Sequence, residues 1–431
     1  MEDSTRWYRR LAGMLAARLP EARLGDIADP RARRGRRWKL GVLLGAVVAG
    51  ICAGAKSLAQ LENMTAEMGR PMARLLGVTR RIPDTTLRDL LCVIRPEALR
   101  GPIHAVIRAA HRRKALEPDR LPFGIAVMDG KGTALGGCDD FYAQRQSQGE
   151  GERFTALLRT VTSSLVSAAA KPCIDASPIP ASTNEMGHFA TALRELVRAY
   201  GSLGLFRLVS YDAGACSREN AEVVCDELHL DYLFGLKGTQ PTLLNEAKRL
   251  LEHRPAAGAE ATSEDLVGAN VVTRRAYITE EMAGFGDWTH LHTVVRVESE
   301  TRTRDGKLVA HQNRYFLSSL RRGALADTQW LRVVRWHWGV ENNCHNTFDT
   351  VFCEDDKPWI QDCPQGALAV LLLRRIAYDL LALFRSVTLR SEERRRMPWA
   401  DLLRGLAQAF VVVTEAHLEG LRPRSIAAAL A

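Results

Sequence analysis

With 431 residues, 46% of them hydrophobic, the chain is long enough to bury a full core and to fold as two to four structural units, which excludes a disordered tail. Its net charge of +9, from 59 Lys and Arg against 50 Asp and Glu, favours a polyanionic partner on a surface that still carries both signs. Nine cysteines without one C-x-x-C pair exclude a small disulfide framework and point to a reducing, cytoplasmic compartment.

A short amphipathic opening leads to the basic run RARRGRRWK, Arg31 to Lys39, and then to LGVLLGAVVAGICAGA, Leu40 to Ala55. That apolar run is shorter than the roughly 20 residues a spanning helix needs. It is also internal and lacks a cleavage site after it, so it reads as a buried helix, with no membrane as partner. Gly41, Gly45, Gly50 and Gly54 would let neighbours approach it closely. SLAQLENMTAEM, MARLLGV and RRIPDTTLRDLLCVI continue as helices, with Pro83 stopping one segment and Asp84 or Thr85 capping the next. Thr85, Thr86 and Arg88 stand where a helix-turn-helix would place DNA-reading side chains, although an ordinary helical hairpin has the same pattern.

From Leu121 the texture changes. FGIAVMDGKGTALGG reads as a short strand ending on Asp129 and followed by a Gly-rich turn, and LFRLVSYDAGACSRENAEVV repeats the design, with a strand from Leu205 to Tyr211, Asp212 at its end and a helix soon after. DYLFGLKGTQPTLLNEAKRLL is a third strand leading through a turn into a helix, and the repetition marks an α/β core. Between Asn270 and Leu320 β-branched alternation takes over, a mainly β insertion. Helices resume near Asp327 and include ALAVLLLRRIAYDLLALF. The expected units are residues 1–116 (helical, for DNA binding or assembly), 117–250 (first part of the core), 251–322 (β-rich insertion) and 323–431 (helical remainder).

The segment RWHWGVENNCHNTFDTVFCEDD, 335–356, crowds aromatic, amide and acidic residues. Projected as one helix from Trp330 to Val351, it puts Val333, Trp336, Val340, Cys344 and Val351 on the core side, and His337, Glu341 and His345 on an adjacent stripe with Asp349 at its edge. If that helix packs beside the strands ending at Asp129 and Asp212, three carboxylates converge. Clustered carboxylates raise one another's pKa unless a cation joins them, and hard divalent cations suit oxygen ligands and phosphoryl transfer. Taken singly, each acid reads more readily as an ordinary turn or surface residue.

VMDGKG, LVSYDA followed by YLFGLKGTQPTLL, YFLSSL and RWHWGVENNCHNTFDTVFCEDD resemble, in order, the blocks of DDE insertion-sequence transposases of the H-repeat-associated branch. DPRARRGRRWKLGVLLGAVVAGICAGAKSLAQLENM is similar to the helical domain preceding the catalytic domain there, so the resemblance covers about residues 28 to 385. It implies an α/β fold with a ribonuclease H-like catalytic core, an inserted β-rich subdomain and a preceding small all-α domain. It also implies two Mg²⁺ ions, with Mn²⁺ able to substitute, held by Asp129, Asp212 and Glu341 as the three acids. The implied activity is binding of an insertion sequence's terminal inverted repeats, strand cleavage and strand transfer into target DNA. Asn342, His345 and Asp349 fit the branch, as do His337 and Trp338, whereas Cys344 and Asn346 replace an apolar residue and Trp.

Implied partners are double-stranded DNA, as element ends and target, and a second copy of the chain, as a homo-oligomer that is a dimer on two paired ends. The implied location is the bacterial cytoplasm, with the nucleoid. The alternative function is a catalytically inactive, transposase-derived DNA-binding protein. Lys131 and Lys237 could neutralise DNA phosphates or be ordinary solvated lysines. Trp336 reads as core, and Trp338 as the better candidate for stacking on a base. His345 could orient a phosphate, a water or Glu341, or simply pack. The spacing of the histidines and cysteines in 337–363 matches no zinc finger, and Glu354, Asp355 and Asp356 have no assigned role.

Overall fold

Alternation of helical and extended periodicities yields a mixed α/β molecule. The computed structural model describes residues 2–137, 139–147, 154–419 and 421; residues 1, 138, 148–153, 420 and 422–431, which the expected first, second and last units include, lie outside the described residues. The N-terminal helices are α1 (Glu2–Arg18), α2 (Leu40–Cys52), α3 (Leu58–Glu67), α4 (Arg70–Leu76), α5 (Asp84–Val93) and α6 (Pro96–Arg112). The strands are β1 (Ile125–Gly136), β2 (Ala143–Ser147), β3 (Phe154–Leu165), β4 (Cys173–Pro178), β5 (Leu208–Tyr211), β6 (Asp231–Leu236), β7 (Ala261–Val267), β8 (Asn270–Thr279), β9 (Thr293–Thr303) and β10 (Leu308–Ser318). The remaining helices that matter here are α7 (Glu185–Tyr200), α8 (Arg218–Glu222), α9 (Pro241–Leu251), α10 (Asp327–Trp336), α11 (Asn346–Thr350) and α12 (Pro364–Leu383).

All residues of α2 are buried, and at Gly50 the Leu61 side chain comes so near that a Cβ would lie 2.2 Å from its Cδ1. Among the described residues no helix is long and apolar enough to cross a membrane. The start of α5 differs from expectation. Pro83 occupies the cap position without a capping side chain, and Glu62 of α3 takes over that task by accepting the Asp84 N–H at 3.1 Å. Leu87, Leu90 and Leu91 of α5 are buried, α5 packs on α12, and Arg88 reaches Asp362 at 2.6 Å. Helices α2 and α6 pack on α12 as well, so this long helix serves as the core around which α2, α5 and α6 gather.

The strands form one ten-stranded sheet in the order β2-β3-β1-β5-β6-β10-β9-β8-β7, with β4 pairing β3. At one end of the sheet is an antiparallel set, β4, β3 and β1, continued by β5 and β6 in parallel. The β-rich stretch is continuous with it, because β10 pairs antiparallel with β6 from Tyr315↔Leu236 to Ser318↔Leu233. One expectation is corrected here. Asp129 does not end its strand, since β1 runs on to Gly136 and pairs with β3 along that length; the glycines after Asp129 stay extended because a full-length antiparallel partner holds them.

A second correction concerns the segment expected to be one regular helix. It consists of α10, a π-helical turn over Val340–His345, and α11. Gly339 precedes the turn and packs so tightly that a Cβ would lie 2.6 Å from Val166 Cγ1. The wide turn rotates the downstream residues off the 100° projection. Val333, Val340 and Cys344 are buried as expected, but Trp336 is only half-buried, and both His337 and His345 are buried.

Candidate active site

Register alone brings two of the acids level. In the parallel pair of β1 and β5, Ile125 lies beside Leu208 and Val127 beside Ser210, the same offset that separates Asp129 from Asp212. Apolar residues upstream in each strand are fully buried, which fixes both strands and delivers the carboxylates at one height. Asp212 stands just past β5, where its Oδ1 accepts the Gly214 N–H at 2.7 Å and turns the chain.

In front of the pair is a cavity of about 350 Å³ lined by Asp129, Asp212, Glu341, Lys237, His337 and Trp338, with Arg314 and Phe316 supplied by β10. Six of the side chains singled out from the sequence thus meet on one surface. Glu341 and Lys237 are exposed at it. Trp338 is half-buried, edge-on to Phe316 and His337, and covered by the Arg314 guanidinium at 4.3 Å from its ring centre. Asn342 is exposed and lies outside the lining, as do Lys131, His345 and Asp349.

The latter three join β1 to the helical segment behind the cavity. Asp129, Lys131 and Thr133 alternate onto one face of β1. Asp129 Oδ2 lies 3.4 Å from His345 Nδ1, Lys131 Nζ lies 2.7 Å from Asp349 Oδ1 and 3.1 Å from Asp355 Oδ2, and Thr133 Oγ1 donates to Asp355 at 3.2 Å. Two strand residues advance ~6.6 Å and four helical residues ~6 Å, so the two periodicities mesh over this span. Lys131 is thereby buried between acids, its side chain 7% exposed. Of the acids left without a role, Glu354 is fully buried and paired with Arg375, while Asp355 closes the Lys131 contact.

Electrostatics separates the groups. Burial, then the charges of Glu185, Asp212 and Glu341, push the Asp129 carboxyl up to about 7. Burial, with Lys237 and Arg314 nearby, pushes His337 down to about 4, so its ring is neutral near pH 7. The Ser210 hydroxyl donates to the Leu233 carbonyl at 2.9 Å, so the 2.8 Å contact with His337 Nδ1 requires the ring to donate from that nitrogen. Burial, then Arg375 and Lys131, likewise bring His345 down to about 3; its contact with Asp129 is therefore polar and not ionic, and its Nε2 is buried without a hydrogen-bond partner among the described residues.

Sequence reasoning missed Glu185, Ser210 and Arg314. Asn184-Glu185 before an apolar-periodic run is a recognisable helix start, and Asn184 does cap α7 by accepting the Gly187 N–H at 2.9 Å. Nothing local, however, shows that this helix end meets Gly130.

Among the described residues no group of three or more His, Cys, Asp or Glu is drawn together so that it could hold a metal ion as it stands. Asp129, Asp212 and Glu341 nonetheless face one cavity with oxygen donors only. Their mutual repulsion, felt at Asp129, is of the kind a hard divalent cation relieves. In donor chemistry and charge the residues fit such an ion.

Residues 22–105 match the family described as DDE_Tnp_1-associated. Over 183 residues, 40% of this chain and 47% of the relative, the chain is 29% identical to the "H repeat-associated putative transposase YhhI" of Escherichia coli (strain K12). Over the same length and coverage it is 28% identical to the "Putative protein YbfL" of that organism. The chain spans about half the length of the curated relatives it matches.

Proposed function

We propose, for a chain related at modest identity to the H-repeat-associated branch of DDE transposases, that it is a DNA transposase with a ribonuclease H-like core. It binds the terminal inverted repeats of an insertion sequence, cuts at the element's ends and joins the freed 3′-hydroxyl to target DNA. The observation that carries this reading is the meeting of Asp129, Asp212 and Glu341, from three distant stretches of chain, on one cavity. The sheet supports it as well: an antiparallel set extended by two parallel strands sets two aspartates on neighbouring strands at one level.

Asp129, Asp212 and Glu341 would hold two Mg²⁺ ions, or Mn²⁺ in their place, which when bound supply Lewis-acid activation and stabilise charge on the leaving oxygen. Lys237, exposed on the cavity surface, offers its ammonium to a DNA phosphate. Trp338, with Arg314 over its ring, offers an apolar and cationic wall to a base. Lys131, Asp349 and His345 position the acids from behind by tying β1 to the helical segment. The partners are double-stranded DNA, as element ends and as target, and a second copy of the chain on paired ends, in the bacterial cytoplasm with the nucleoid.

Incubating the chain with Mg²⁺ and a DNA fragment bearing the element's own ends tests the reading. Cleavage and joining at those ends are expected. End binding that persists without divalent metal, with no cleavage in its presence, would identify an inactive DNA-binding relative instead.

A further inference from the structure

We propose that Glu185 is a fourth carboxylate of the divalent-cation site, acting beside Asp129, Asp212 and Glu341; this deepens the metal-dependent reading above and rests on it. Glu185 is the first residue of α7, 56 positions beyond Asp129 and 27 before Asp212. Its Oε1 accepts the Gly130 N–H at 3.0 Å and the Tyr211 hydroxyl at 2.7 Å. Gly130 follows Asp129 and Tyr211 precedes Asp212, so one carboxylate spans both strands at the level of the two aspartates.

The fit is close. A Cβ on residue 130 would lie 1.9 Å from Glu185 Oε2, and only glycine there leaves room for the carboxylate. Both of those hydrogen bonds fall on Oε1, and neither engages Oε2. An acceptor oxygen would suffice to bridge Gly130 and Tyr211, and a glutamine would provide it without charge. The helix N-terminus favours an acid, but only weakly. A carboxylate held beside others is unfavourable until a cation joins them. Bridging accounts for the acceptor at this position, and a shared cation accounts for its charge.

Glu185→Gln separates the two roles, because the amide oxygen can still accept both hydrogen bonds while the charge is gone. Mn²⁺ is titrated calorimetrically into the full chain as wild type, Glu185→Gln, Tyr211→Phe and Asp129→Asn. Metal-free melting temperatures are recorded for each. The expected result is Mn²⁺ affinity reduced about tenfold or more in Glu185→Gln, with a metal-free melting temperature equal to or above that of the wild type. Tyr211→Phe removes one hydrogen bond and keeps the charge, and it should bind Mn²⁺ nearly as the wild type does. Should Glu185→Gln melt early, retained affinity in a comparably destabilised Tyr211→Phe still assigns the loss to charge. Wild-type affinity in Glu185→Gln overturns the inference, as does an equal loss in both variants. Absence of any Mn²⁺ binding by the wild type that Asp129→Asn abolishes would remove the metal reading itself, a result distinct from both.

Discussion

His345 Nδ1 lies 3.4 Å from Asp129 Oδ2, with the imidazole neutral and buried. Beside it the Lys131 ammonium sits between Asp349 and Asp355. Together these contacts set the distance between β1 and the segment that carries Glu341, so the lysine beside Asp129 acts as a strut.

Lys131→Met keeps the buried stem and removes the charge, leaving Asp349 and Asp355 to face each other. The expected loss is ~1–2 kcal/mol in chemical unfolding, discounted because both acids are partly solvated. The salt dependence of DNA binding should stay unchanged. An unchanged unfolding midpoint with a shallower salt slope would instead make Lys131 a phosphate contact.

The raised pKa of Asp129 predicts a pH dependence of definite sign. Its folded value of about 7 exceeds that of an unfolded Asp, ~3.9, so the protonated form is favoured on folding. The cost of ionising it is absent below about pH 4, grows between there and pH 7, and is constant above. Asp129→Asn should therefore stabilise the metal-free protein at pH 8, on the order of 1 to 3 kcal/mol, and change little at pH 4. Mg²⁺ should raise the wild-type melting temperature more at pH 8 than at pH 6, where protons compete for the carboxylate. Destabilisation by Asp129→Asn at pH 8 would contradict the assignment.

A second buried ion pair ties the helices to the sheet. Burial alone would raise Asp175 of β4, but Arg100 and His104 of α6 outweigh it and hold the carboxyl well below its usual range. A depressed carboxyl contributes stability that is complete above the unfolded value, ~3.9, and is lost as pH falls through the lower folded value. Arg100→Met removes the main partner and should cost ~3–5 kcal/mol. It should also move acid unfolding to higher pH, as circular dichroism would record.

Periodicity made α2, the β-rich stretch and the α/β texture legible, because each follows from apolar spacing within a few residues. The level placement of Asp129 and Asp212 was implicit in their spacing, but only the pairing of Val127 with Ser210 converts that spacing into register. Sequence projection failed at Val340–His345, where tight packing of Gly339 on Val166 and a π-turn override the regular helix. The projection sets His337 and His345 on a stripe beside the core face, whereas both are buried. Glu185 was invisible for another reason: its partners are a glycine N–H and a tyrosine hydroxyl from other strands, and no local pattern encodes them. Cys344, out of place by the family pattern, fills a fully buried position with its Sγ 3.9 Å from the Lys171 carbonyl, so the helical segment keeps its buried face there.

The most direct measurement is strand cleavage and joining of a fragment carrying the element's ends, with Mg²⁺, by the wild type and by Glu341→Ala, alongside end binding by both. Glu341 is exposed on the cavity surface, so its removal leaves the core intact. The predicted result is that Glu341→Ala binds the ends as the wild type does and neither cuts nor joins them. Cleavage by Glu341→Ala at the wild-type rate would contradict the three-carboxylate site.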